Sequence, residues 1–490
     1  MTDKNPLKKK PSDGSKPPPK SVRPVFTGAV YRQPDRIVDA ASGRTMLIDA
    51  ILKKDKKRIE RLLASGASPN KTDKAGKSPL HYAARLGQAE MANLLLKSGA
   101  AANPRDKTQA TPLFEALDSP FPREMLECLL KGGADANIAD KNNRVPLHDA
   151  AQKSGKEVIQ YLTRVTENPG RPDKAGMTPL HEACNKNGLE AVQALLQERG
   201  CISVFSATNE GDTPLHFAAL RADSDIAKYL LTTEAAQLSN AVNLNGQTPL
   251  HLAVKEGKID LVQHLLQVGA DVNLADRHGL ASLHQAARAG SEAMVLLLIR
   301  NGADVSKVSP SSPTTPLLQA LSRDNMAVAR ILLNHDADPN AAGKGDTSPL
   351  LMAVHSRNGE AVTLLLQAGA NPNLVNQRGQ SALFFACSYG LEGIVRLLLA
   401  NKADPNQANA LGRTPLHMLT EGGPSSLSLT RLLLEAGANP VLKDQYGVTP
   451  FDMAQDRGKQ AILDLFKKSL ADKGLSYTPK RPPLPPGWEY

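Results

Sequence analysis

The stretch TPLHLAVKEGKIDLVQHLLQVGADVNLAD, from Thr248 to Asp276, decides the fold. Thr248 suits a helix N-cap, where its hydroxyl accepts a bond from an early backbone N–H. Pro249 follows at the first helical position, where no needed donor is lost. Gly257 is placed to end that helix in the left-handed conformation. A second helix carries the pair Leu265–Leu266, and Gly269 to Asn273, GADVN, favour a tight turn. The stretch therefore reads as helix, turn, helix and hairpin-like loop. Its second helix leaves leucines uncovered, so one such unit needs a neighbour.

The neighbours are written in the same chain. TPLH recurs at Thr178, Thr213 and Thr414, with SPLH at Ser78, VPLH at Val145 and ASLH at Ala281. Equivalent anchors fall at Thr45, Ser78, Thr111, Val145, Thr178, Thr213, Thr248, Ala281, Thr315, Ser348, Ser381, Thr414 and Thr449, spaced 33 to 35 residues apart. Five residues past the anchor stands Ala in twelve of thirteen units, Leu419 being the exception. A small side chain there lets two helices approach closely. Nine past the anchor, Gly87, Gly257, Gly290, Gly390, Gly423 and Gly458 repeat the left-handed cap. Each buried leucine of the second helix stabilises by roughly 1.5–3 kcal/mol.

Thirteen units with this period and a T-P-L-H-x-A signature resemble the ankyrin repeat. The resemblance covers roughly residues 38–470 and implies an all-α solenoid of about 13 helix-turn-helix units with short hairpin loops. The expected organisation is a basic Pro/Lys-rich disordered tail at 1–35, the solenoid at 36–473 and a disordered Pro-rich tail at 474–490. The end units differ from the rest. The first carries the charged run KKDKKRIERLL from Lys53, and in the last Asp452 replaces the histidine.

Seven of the eleven histidines, His81, His148, His181, His216, His251, His284 and His417, occupy one position, the third residue of the first helix. The resemblance implies that this imidazole bonds the anchor hydroxyl and the neighbouring repeat's backbone. Catalysis or metal binding would need partners converging on one point, and successive copies are a whole repeat apart. No catalytic residue, metal ligand or cofactor is expected. The cysteines have no metal-type pairing. Cys184 and Cys387 fall six past the anchor and Cys128 at a leucine-pair position, as small core hydrophobes, while Cys201 lies in a loop.

Composition bounds the rest. Hydrophobic residues make up 41% of the 490 and aromatics only 4%, so the core is built from Leu, Ala, Val and Ile. The longest apolar run, Ala293 to Ile299, is far short of the ~20 residues a membrane span needs. Of the net charge of +10, residues 1–40 carry +5 and residues 467–490 carry +3, which leaves the middle only about +2. The basic balance belongs to the tails, so the body is not expected to bind nucleic acid. A reduced, cytoplasmic setting is expected, with the nucleus as alternative because of short basic runs such as KKDKKR at Lys53. Outside the array some 40 and 20 residues remain, too few to bury an enzyme's core.

The function expected is therefore a non-enzymatic interaction scaffold, a monomer binding one or more proteins in the groove of the solenoid. The alternative is the targeting arm of an enzyme system, or an effector delivered into another cell. The groove-lining positions seven or eight past the anchor carry Lys53, Arg85, Lys153, Lys186, Arg221, Lys255, Arg288 and Arg323, opposed there only by Asp118 and Glu256. Four past the anchor, Tyr82, Phe217, Met352, Phe385 and Met418 supply apolar anchors. This pattern predicts an acidic, extended partner. Two loops, QERGCISVFSATNEG at 197–211 and TTEAAQLSNAVNLNG at 232–246, lack the GADVN turn, and Phe205 in the first is a further contact candidate. At 480–486, Lys480, Pro483 and Pro486 match a polyproline-helix docking peptide.

Overall fold

A computed structural model describes residues 33–477, apart from 187, 198–201, 222–223, 310, 312 and 423–425. Residues 1–32 and 478–490 of the expected tails, with the polyproline segment, and Cys201 lie outside the described residues, whereas Tyr477 of the C-terminal tail bonds to Asp452 at 3.0 Å. Among the described residues, twenty-six α-helices form thirteen successive pairs, from Met46–Leu52 with Lys56–Ala64 to Pro450–Asp456 with Gln460–Asp472. The chain divides into two compact units, residues 1–135 and 136–490, which hold three and ten of these pairs. The named strands are a single antiparallel pair, Ile37–Asp39 with Arg44–Thr45.

The alanine five past the anchor is buried in every unit that has it, from Ala50 to Ala454, and Leu419 is buried in its place at 4% exposure. The leucine pair is unequal. Leu62, Leu95, Leu265 and Leu398 are fully buried, whereas Leu63, Leu96, Leu266 and Leu399 are half-buried. Two adjacent residues on a helix point about 100° apart, so only one faces the core. Cys128 does not take the buried slot of its pair, because the unit is one residue longer there and Leu129 fills it. Cys128, Cys184 and Cys387 are nonetheless buried free thiols, and burial pushes Cys387 up to about 12.

The left-handed cap nine past the anchor is a property of the unit more than of glycine. Gly290 adopts it at φ 76°, but so do Lys54, Asp324 and Arg357 at φ 55–59°. The two irregular loops are handled differently. Residues 234–238 form a short 3-10 helix begun by the Thr233 hydroxyl, and Ala235 is buried. In the other loop Val204 is buried and Phe205 is 42% exposed.

Stacking uses two polar devices that the hydrophobic pattern does not announce. Five residues before most anchors an Asp or Asn folds its side chain over the hairpin. Asp276 Oδ1, for example, accepts from His278 N–H at 2.8 Å and Leu280 N–H at 3.0 Å. Gly246 is held at φ 69° in such a hairpin, and an added Cβ would meet the Arg277 backbone nitrogen at 2.7 Å, so no other residue fits. The second device is the Asn of the GADVN turn. Asn273 donates to Gly302 O at 2.8 Å and accepts from Asp304 N–H at 2.8 Å, clipping its turn to the next. Asn240 makes the same clip to Gly269 and Asp271, although its loop lacks the GADVN letters.

Candidate protein-binding groove

The recurrent histidine fixes the first helix of one repeat to the hairpin of the next. In the repeat of Thr178, the anchor N–H donates to His181 Nδ1 at 3.1 Å and the hydroxyl lies 2.8 Å from the same nitrogen. Nε2 then carries the proton and donates to Asp212 O of the following repeat at 3.2 Å. His81, His148, His216, His251 and His417 reach the next repeat in the same way, at 3.0–3.2 Å. Burial favours the neutral imidazole and lowers His181 to about 4. Asp452 plays the accepting half of this role in the final pair, taking Thr449 N–H at 3.1 Å and the Tyr477 hydroxyl at 3.0 Å. Among the described residues no group of His, Cys, Asp or Glu is placed to hold a metal ion.

The basic positions are not equivalent. Arg85 lies 3.8 Å from the Glu115 carboxylate, which Lys77 also holds. Arg221 donates to Asn185 O at 2.7 Å, so its head is tied to the previous repeat. Lys153 and Lys186 are exposed. Lys255, Arg288 and Arg323 are exposed and together line one concavity of about 500 Å³ with Gln247, Leu280, His284, Gln285, Ala289 and Gln319. No acidic residue lines it.

The acidic residues that matter sit one turn earlier than the positions compared in the sequence. Glu115, Asp149 and Glu182 occupy the place four past the anchor that Tyr82, Phe217 and Phe385 hold elsewhere. Arg144 gathers Asp149 at 2.9 Å, Asp173 at 3.5 Å and Glu182, with Gln152 donating to Glu182 at 3.1 Å. Burial works against the Arg144 charge, but the hydrogen bonds to Glu182 and Asp149 outweigh it and hold the guanidinium protonated. The signal was in the sequence: Arg one before the anchor, with acids four after its own anchor and the next.

The apolar candidates are half-buried rather than free. The Tyr82 hydroxyl donates to Asp73 at 2.6 Å. Phe217 meets the His181 ring edge-on at 5.6 Å, and Phe385 stacks on His355 at 4.3 Å beside Tyr389 at 5.9 Å.

The family comparison gives the class. The family model described as "Ankyrin repeats (3 copies)" matches residues 47–140, 121–206, 202–276, 283–376, 350–444 and 383–476. The chain belongs to the ankyrin-repeat family, whose members are protein–protein interaction modules. It is 44% identical over 48 residues to YahD of Escherichia coli (strain K12), an ankyrin repeat protein by its name. That match covers 10% of this chain and spans about a quarter (24%) of the relative. A crystal structure of the ankyrin repeat domain of Bcl-3, described as a unique member of the IkappaB protein family, matches at 31% identity and a TM-score of 0.42. It covers 46% of this chain and 100% of that one. Among the described residues no helix is long and apolar enough to cross a membrane.

Proposed function

We propose that the chain is a non-enzymatic scaffold that holds an acidic, extended segment of a partner protein along the groove of residues 136–490. One observation carries this reading. Lys255 and Arg288, near the ends of two successive first helices, and Arg323, two residues past the end of the third, stand exposed around one concavity that no acid lines among the described residues. Exposed cations with no local partner keep their field for an incoming ligand and speed its association. Phe217 and Phe385 flank this stretch and supply apolar surface of the kind that anchors interfaces.

Lysine footprinting of the full chain with its captured partner tests the placement. The partner is expected to shield Lys186 and Lys255 from acetylation and to leave Lys156 and Lys467, exposed on second helices, reactive. Shielding of Lys156 or Lys467 with Lys186 and Lys255 still reactive would move the interface to the outer face. Binding should also weaken as salt is raised, because the cations are solvated and screened.

A further inference from the structure

The unit anchored at Thr315 breaks the hairpin rule. Its hairpin reads SPSSPT from Ser309 to Thr314, with no Asp or Asn turn-former and with Pro313 where other units place a left-handed residue. Proline locks φ near −65°, so the standard hairpin cannot form there. The Ser309 hydroxyl donates to His278 O of the preceding hairpin at 2.6 Å, and Ser309 N–H donates to Thr314 O at 3.0 Å.

The consequence falls on the repeat before it. His284 Nδ1 accepts from Ala281 N–H at 3.2 Å, which leaves the proton on Nε2. Backbone groups of Lys307 and Thr314 face this ring, yet Nε2 makes no hydrogen bond among the described residues. His284 is 1% exposed. Beside it the buried Oε1 of Gln285 also finds no donor among the described residues. A donor without an acceptor and an acceptor without a donor thus line the concavity ringed by Lys255, Arg288 and Arg323. Unmet buried polar groups of this kind cost stability, and a ligand that satisfies both recovers it.

We infer that this concavity is a peptide subsite, selective for an extended acidic segment with carboxylates at every third residue. The inference rests on the groove reading above and gives it a register. Three cations call for carboxylates, and His284 Nε2–H for an acceptor. Gln285 Oε1 calls for an N–H, which an inorganic anion does not supply and a peptide backbone does. Neighbouring helix axes lie about 8–10 Å apart. An extended peptide rises about 3.3 Å per residue, so three residues match one repeat.

Two labelled peptides of equal composition test it by fluorescence anisotropy on the full chain at low salt. One is Glu-Gly-Ser-Glu-Gly-Ser-Glu, and the other is Glu-Glu-Glu-Gly-Ser-Gly-Ser. The spaced peptide is expected to bind about tenfold tighter, and Arg288→Gln with Arg323→Gln to remove about tenfold of that affinity. Gln285→Met should weaken the spaced peptide severalfold and leave the contiguous one unchanged, with the unfolding midpoint of each variant as control. Equal affinity for both peptides, lost in the arginine variant, would leave the groove reading standing and overturn the subsite. Affinity indifferent to Arg288, Arg323 and Gln285 would place the peptide elsewhere and overturn it too. The wider reading fails separately, on the lysine footprint.

Discussion

Residues 144–182 and 247–323 lie on the same repeat framework and handle their positive charge in opposite ways. In the first stretch Arg144, one residue before its anchor, closes on Asp149, Asp173 and Glu182, and its charge is consumed internally. In the second, Lys255, Arg288 and Arg323 stand around Gln285 and Gln319, and the charge is left outward. Four places past the anchor the first stretch carries the acids Asp149 and Glu182, and the second carries Leu252, Gln285 and Gln319. A count of basic residues along a solenoid is therefore a poor map of its binding surface. The pairing state of each cation decides.

The largest expected effect is on the paired stretch. Arg144→Leu should lower stability by about 3 kcal/mol or more, because Glu182 is left buried with its charge uncompensated. Urea unfolding followed by circular dichroism measures it, and a loss under about 1 kcal/mol would show the cluster to be a solvated surface network.

Acid should act through the histidines. The unfolded imidazole titrates near 6.5 and His181 in the fold near 4, so between these values the unfolded state binds more protons. The contribution of His181 is then complete above pH 6.5, falls as pH drops from 6.5 to about 4, and changes no further below. His181 alone contributes about 3 kcal/mol to this loss by the usual conversion, and the other six histidines shift in the same direction. Urea midpoints at pH 7.5, 5.5 and 4.5 give the curve, and a midpoint flat across that range would contradict the assigned tautomers.

A smaller effect separates two histidines in and near the open stretch. His251 accepts from Thr248 N–H and hydroxyl and donates to Leu280 O. Its replacement by Ala should cost about 2 kcal/mol. Among the described residues His284 accepts from Ala281 N–H and makes no hydrogen bond through Nε2, so His284→Ala should cost about 1 kcal/mol. Equal losses would mean that His284 has a partner in solution.

The smallest effect is expected at the cations themselves. Arg288→Gln and Arg323→Gln should each change stability by no more than about 0.5 kcal/mol, as exposed side chains do. A larger loss would show that they hold the fold, and their claim to ligand binding would weaken accordingly.

The sequence by itself determined the period, the two helices of each unit, the caps at Thr248 and Pro249, the buried alanine at Ala253 and the structural office of His251. These are local and periodic, and each follows from what one residue type can do at one place in a helix or turn. Tertiary structure alone decided which cations are paired and which stand exposed. Arg144 and Glu182 are 38 residues apart, and only the stacking of one repeat on the next brings their charges together. The same stacking decided the state of His284, whose own TPLH-like motif is near normal. What leaves its Nε2 unmet is a proline-bearing hairpin some 25 residues further on, because a histidine that serves two repeats depends on the backbone of the second.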